Sequence, residues 1–306
     1  MKFLFTLLSL FTFLNTQAQN FEDRIREGDA LYAKEQYLES AKTYDSAFAM
    51  EKGDKGQYYN AACSWALTGD TINAMRYLDL SANAGWKGLK HIKRDKDLKS
   101  LYTVNGWSDV LRKVEANKDE YEKDFDKPLK KQLEKLYVKD QTLRQLMREA
   151  EDKFGRESEE MDYFWDLILE QDSLNEIEVI EILNKHGWVG KSEVGDRANI
   201  TVWLVIQHAP IELQEKYLPL LEASVKAGES KGSNLALLAD RIEMRNKRPQ
   251  IYGSQITRDK ETGKEIVYEV RDSEYVNQRR KEVGLGPIED YVKRWGIEWE
   301  VEQKEK

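Results

Sequence analysis

A single cysteine, Cys63, rules out any intramolecular disulfide in this chain, so packing alone must hold the fold. At 306 residues the chain can bury enough apolar surface to manage without staples. Cys63 itself sits in Ala61-Ala62-Cys63-Ser64-Trp65, where it reads as a small buried helix residue rather than a catalytic thiol. Proline is also scarce, at 5 residues, while 40% of residues are hydrophobic and 34% charged. That composition suits charge-faced helices better than a sandwich or a disordered chain. There is no basic excess, since the net charge is -8, and this argues against a nucleic-acid partner, which needs a concentrated basic surface. The histidines His91, His186 and His208 lie far apart, and no second cysteine joins them, so no zinc-ligand spacing exists. Gly190-Lys191-Ser192 lacks the glycine that a phosphate loop needs five residues earlier, where Lys185 stands. Gly190 to Gly195 is one residue too long for a nucleophile elbow. No cofactor or metal is therefore expected.

The apolar run from Phe3 to Leu14 is too short to span a bilayer comfortably. Met1-Lys2 precedes it and Asn15-Thr16-Gln17-Ala18-Gln19 follows, which is the order of a secretory signal peptide. Residues 1–18 are expected to be cleaved after Ala18, leaving an exported protein, periplasmic or extracellular, with no membrane span. No cysteine near the cut is available for lipid attachment.

An internal repeat comes next. Tyr37 to Tyr44 and Ala47 align, at an offset of 34, with Thr71 to Leu78 and Ser81, and the same offset pairs Gly28 with Ala62 and Leu31 with Trp65. Small residues at these positions let paired helices approach closely, and Gly69-Asp70 reads as a helix stop followed by a cap. The segment resembles tetratricopeptide repeats, with a closing segment after Ala84-Gly85-Trp86, although the repeat's closing Pro is absent. The resemblance implies a helical repeat layer over residues 20–115 that either binds a protein or peptide partner or serves only as a spacer or packing platform. Two repeats are fewer than the three usually needed for independent stability. A charge-rich linker or helix over 116–127 then leads to Pro128, a comfortable first-turn residue of the next helix.

From Leu129 onward, helical apolar periods predict helices at Leu129 to Gly155, Glu157 to Leu169, Asn175 to Leu183, Ser192 to His208, Ile211 to Ala227 and Asn234 to Asn246. Gln250 to Thr257 and Glu265 to Val270 read as a β-hairpin, followed by two last helices. The expected fold class is mainly α, with tetratricopeptide-like helical hairpins followed by a helical domain over 128–300 that carries one hairpin at 250–270. The series Asp140-Gln141 with Arg144, Gly187-Trp188, Gln207-His208-Ala209, Asp240-Arg241, Gln250-Ile251-Tyr252-Gly253-Ser254-Gln255, Arg279-Arg280 and Gly284-Leu285 resembles a bacterial domain family, numbered 6624 among domains of unknown function. That resemblance implies a shared fold and pocket over about residues 125 to 296, without an activity. Val189 stands where the family often has Pro.

Within this series His208 ends a buried helix, where the helix dipole favours imidazolium and burial favours the neutral ring. Asp240 and Arg241 point about 100° apart on their helix and lack opposite charges one turn later, so each needs a partner from elsewhere, with Asp140, His208, Arg279 and Arg280 available. Gln250, Tyr252 and Ser254 would alternate onto one strand face. The expectation is one pocket with His208, Asp240 and Arg241 as candidate catalytic groups. Gln207, Gln250, Tyr252, Gln255, Arg279 and Arg280 would be its ligand-binding side chains. Two function classes follow: a module binding a partner or small molecule, or an enzyme with acid-base chemistry on an anionic or amide-bearing substrate.

Overall fold

The computed structural model describes residues 20–305, so the expected export segment lies outside the described residues. The chain is mainly α-helical with one two-stranded antiparallel sheet near its C-terminus. It divides into two compact units, one ending at Lys123 and the other starting at Asp124. Among the described residues no helix is long and apolar enough to cross a membrane.

In the first unit α1 (20–33), α2 (Tyr37–Phe48), α3 (Lys55–Leu67) and α4 (Thr71–Asn83) succeed one another, and α3 packs against both α2 and α4. The offset of 34 reappears as burial: Ser40 with Ala74, Tyr44 with Leu78, and Ala47 with Ser81 are all buried. A Cβ on Gly28 would come within 3.1 Å of the Tyr44 ring, so the missing side chain lets α1 and α2 approach. Gly69, at φ 85°, ends α3, and Asp70 caps α4 by accepting from the Asn73 amide at 3.0 Å. The short helix α5 (Leu89–Ile92), a 3-10 turn (Lys99–Leu101) and α6 (Trp107–Tyr121) complete the core with Ile92, Leu98, Leu101, Val110 and Val114. α6 takes in the first part of the charged segment expected at 116–127.

In the second unit α7 (Lys127–Phe154) starts with Pro128 in its first turn, and the Asp126 carboxylate accepts from the Leu129 amide at 2.9 Å. The helix α8 (Glu159–His186) runs unbroken where the apolar period suggests two helices. The polar run Glu170-Gln171-Asp172-Ser173 interrupts the period but contains neither Gly nor Pro, so nothing stops the backbone ladder. Conversely, the helix expected from Ser192 is split into α9 (Lys191–Val194) and α10 (Asp196–His208) by Gly195, which adopts φ 81°. No residue from Ala198 to Ala209 is exposed, as a central helix requires. α11 (Ile211–Lys226) and α12 (Gly232–Arg245) pack against each other, and the core gathers Leu133, Leu136, Val202, Ile206, Leu221 and Leu238.

The hairpin is shorter than its composition suggests. β1 (Ile256–Arg258) pairs with β2 (Glu265–Val267) in the register Thr257 to Ile266. Residues 250–255 form a loop that meets the far side through a bridge between Gln250 and Val270 and through the Tyr268 amide, which donates to the Gln255 carbonyl at 3.1 Å, without a continuous ladder, so strand alternation does not order their side chains. α13 (Val276–Glu282) and α14 (Ile288–Val292) close the chain around a small core of Val276, Ile288 and Val292.

Candidate functional site

The site grows from polar residues placed in apolar slots. On α7 the buried stripe Leu129, Leu133, Leu136 continues at helical spacing to Asp140, whose side chain is 1% exposed, and then to Arg144. On α8 the stripe Met161, Ile168 continues through Asp172 and Asn175 to Val179 and Ile182. α10 ends in Gln207 and His208.

These helices bring charges together. His208 Nδ1 lies 3.1 Å from Asp140 Oδ1, and Gln141 Nε2 donates to Asp140 Oδ2 at 2.6 Å. Arg144 donates to Asp172 Oδ2 at 2.7 Å and to the Asp140 carbonyl at 3.0 Å. Burial alone would raise the Asp140 carboxyl, but His208, Gln141 and Arg144 together hold it below the usual carboxylate range. The His208 side chain is 19% exposed, and among the described residues its Nε2 has no hydrogen bond.

From α12, Arg241 donates to the Gln207 carbonyl at 3.0 Å and Arg245 to the Ala209 carbonyl at 2.9 Å. Both guanidinium groups thus satisfy carbonyls at the C-terminal end of α10, where the helix dipole is negative. Neither forms an ion pair with a carboxylate among the described residues. The Arg241 guanidinium is pushed below its ordinary value first by burial, then by the like charges of Arg245 and Arg144. Nearby, Asp172 Oδ1, Asn175 Nδ2 and Gln207 Oε1 are buried without a protein hydrogen-bond partner. Buried polar atoms ordinarily have one, so this interior has capacity for further polar contacts. Asp140, Asp172 and His208 also offer ligand atoms within 4.8 Å of one another. A divalent cation there would compete with Arg144 for both carboxylates.

Asp240 belongs to a second group. Its Oδ1 accepts from the amides of Ile251 at 2.7 Å and Tyr252 at 2.9 Å, and its Oδ2 from Ser254 at 2.8 Å. Burial is the largest influence on this carboxyl and raises it, and the loop amides work against that. The Gln250 side chain accepts from the Gln255 amide at 2.8 Å and donates to the Gln255 carbonyl at 3.0 Å. The loop carbonyls are taken by Arg279 Nε at Ile251 (2.8 Å), Arg280 Nη1 at Tyr252 (2.7 Å) and the Tyr291 hydroxyl at Ser254 (2.7 Å). Arg280, 2% exposed, also donates to the Gly286 carbonyl at 2.7 Å. Asp240, Gln250, Arg279, Arg280 and Tyr291 thus all bond to the backbone of loop 250–255.

The residues expected to share one pocket therefore divide. His208, Gln207 and Arg241 lie with Asp140, Arg144 and Asp172, whereas Asp240, Gln250, Tyr252, Gln255, Arg279 and Arg280 hold or belong to the loop. The groups meet at the Leu237 carbonyl, which accepts from Gln207 Nε2 at 3.5 Å and from Gln255 Nε2 at 3.3 Å. Asp172, Asn175 and Arg245 escaped the sequence reading, because dividing α8 in two hid the stripe on which Asp172 and Asn175 fall. At α9, the Ser192 amide donates to Glu229 at 2.9 Å, so a carboxylate occupies the place a phosphate would take in a phosphate loop.

Residues 127–301 match the family described as Family of unknown function (DUF6624), and the chain belongs to that family. No curated protein and no solved structure matches the chain.

Proposed function

We propose that the DUF6624 domain of this chain binds an anionic small molecule at the C-terminal end of α10, held by Arg241 and Arg245 beside His208. The observation that carries this reading is Arg241, largely buried, without a carboxylate partner among the described residues, bonded to the Gln207 carbonyl and crowded by Arg144 and Arg245. Burial and like-charge repulsion both disfavour that guanidinium, and an anionic ligand relieves both. The arrangement also supports acid-base chemistry as a second reading. Asp140 engages Nδ1 of His208 and leaves Nε2 available for proton transfer, the role of an oriented imidazole in many hydrolytic sites. In this reading Asp140, rather than Asp240, is the carboxylate that works with His208.

The test is thermal unfolding of the full chain titrated with inorganic phosphate and citrate, with chloride matching the ionic strength. Saturable anion binding to the native state raises the melting temperature by mass action. Phosphate or citrate should stabilise the wild type but not the Arg241→Gln/Arg245→Gln variant. Equal shifts in chloride, or a shift that survives the double substitution, would remove the anion site.

Burial at matched positions 34 residues apart supports reading the first unit as a tetratricopeptide-like layer for a protein or peptide partner. The order of charge, apolar run and small residues in 1–18 supports export. An intact mass from the native host that retains residues 1–18 would overturn the latter.

A further inference from the structure

The helix α8 is apolar on two sides. Its inner side, with Met161, Ile168, Val179 and Ile182, is buried. About half a turn round the helix, Tyr163, Leu167, Leu174 and Ile177 form a second row, and each of the four remains between 53% and 68% exposed. The face of a helix turned away from the core is ordinarily polar. Single exposed apolar side chains are common, but four in one row mark an interaction surface.

The row has the spacing of a seam. Steps of four, seven and three residues put these side chains at the a and d positions of successive heptads, the face that one helix offers another. Glu170 takes the seam position between Leu167 and Leu174. From Tyr163 to Ile177 the row is about 21 Å long, or roughly four turns.

Charge selects the occupant. Residues 159–184 hold nine Asp or Glu and no Lys or Arg. Toward α7, Asp172 pairs with Arg144 and Glu178 with Lys139, each at 2.7 Å. Glu160, Asp166, Glu170 and Glu181 lie within or beside the row, are exposed, and form no ion pair among the described residues. A wholly apolar occupant would cover Glu170 and leave a desolvated carboxylate unpaired. A second copy of the same face, in register, would set Glu170 against Glu170, and an anionic lipid surface would meet the same repulsion. A helix that carries Lys or Arg beside an apolar seam satisfies both the row and its carboxylates.

We propose that the outer face of α8 docks a basic amphipathic helix of a protein partner. The seam of that helix covers Tyr163, Leu167, Leu174 and Ile177, and one of its cations faces Glu170. The surface shares no side chain with Arg241, Arg245 and His208, so either reading stands if the other fails.

The experiment is fluorescence anisotropy of three labelled peptides of about four turns, each titrated with the full chain. One carries Leu at heptad a and d positions and Lys elsewhere. A second has Glu in place of every Lys, and a third scrambles the first so that Leu gathers on no face. The Leu-Lys seam peptide should bind saturably, with the other two weaker by at least about tenfold, and Leu174→Ser/Ile177→Ser should weaken it by about tenfold or more. Glu170→Gln should weaken it by a smaller factor. Should the double variant fail to fold, the three peptides on the wild type decide alone. No binding, equal binding of the scrambled peptide, or binding unchanged by the double substitution overturns the docking face. Equal binding of the Glu peptide overturns the basic partner. Self-association in sedimentation equilibrium, or binding to phosphatidylcholine vesicles, that is lost in the double variant gives the face to a second copy or to lipid and also overturns the proposal.

Discussion

Asp240→Ala tests most directly whether the second polar group exists to hold loop 250–255. The substitution strips acceptors from three backbone amides, at 2.7, 2.9 and 2.8 Å in the wild type. An unsatisfied buried amide costs about 1–3 kcal/mol, so three set a ceiling near ~9 kcal/mol. Two effects lower the total: water can enter the space left by the carboxylate, and the burial that raises the Asp240 carboxyl is relieved by its removal. A loss of about 3–5 kcal/mol is expected. For a unit of this size that corresponds to roughly 6–20 °C in melting temperature, at about 2–4 °C per kcal/mol. Asp240→Asn should cost less, about 2 kcal/mol, because its amide oxygen can serve Ile251 and Tyr252 while its NH2 faces the Ser254 amide. Urea unfolding of the full chain, followed by far-ultraviolet circular dichroism, gives both values. A loss below about 1 kcal/mol for Asp240→Ala, at unchanged m-value, would refute the assignment of this carboxylate to the loop.

Two further outcomes follow from the same unit. At Gly253, with φ 69°, an added Cβ would lie 2.4 Å from Ile288 Cδ1, so Gly253→Ala should cost about 2–4 kcal/mol, part of which Ile288→Val restores. Gly263 has the same φ and open space, so Gly263→Ala should cost only about 1 kcal/mol; equal losses at the two sites would show that the clash is absent. The depressed Asp140 carboxyl makes its contribution fully present above the unfolded value of about 3.9 and lost as pH falls through the lower folded value. The stability gap between wild type and Asp140→Asn should accordingly narrow below about pH 4, and a gap independent of pH would argue against the ion-paired site.

What the sequence determined by itself was periodicity and local chemistry. The Gly69-Asp70 stop and cap, Pro128 in a first turn and the unexposed run into His208 rest on near-neighbour spacing, and the 34-residue offset on the recurrence of one such pattern, which the chain carries wherever it folds. Element ends went astray where one residue outweighed the pattern. Gly195 broke a helix that apolar spacing continued, and α8 ran on through polar residues because no Gly or Pro stopped it. The partner of each polar residue belongs to tertiary structure alone. His208 reaches Asp140 across 68 positions and Asp240 reaches loop amides 11 to 14 positions away. Adjacent residues on one helix, Asp240 and Arg241, are sent to different groups because they point about 100° apart and helix packing decides what each direction meets. Sequence spacing marks a buried charge as needing a partner; only the packing of α7, α8, α10 and α12 supplies one.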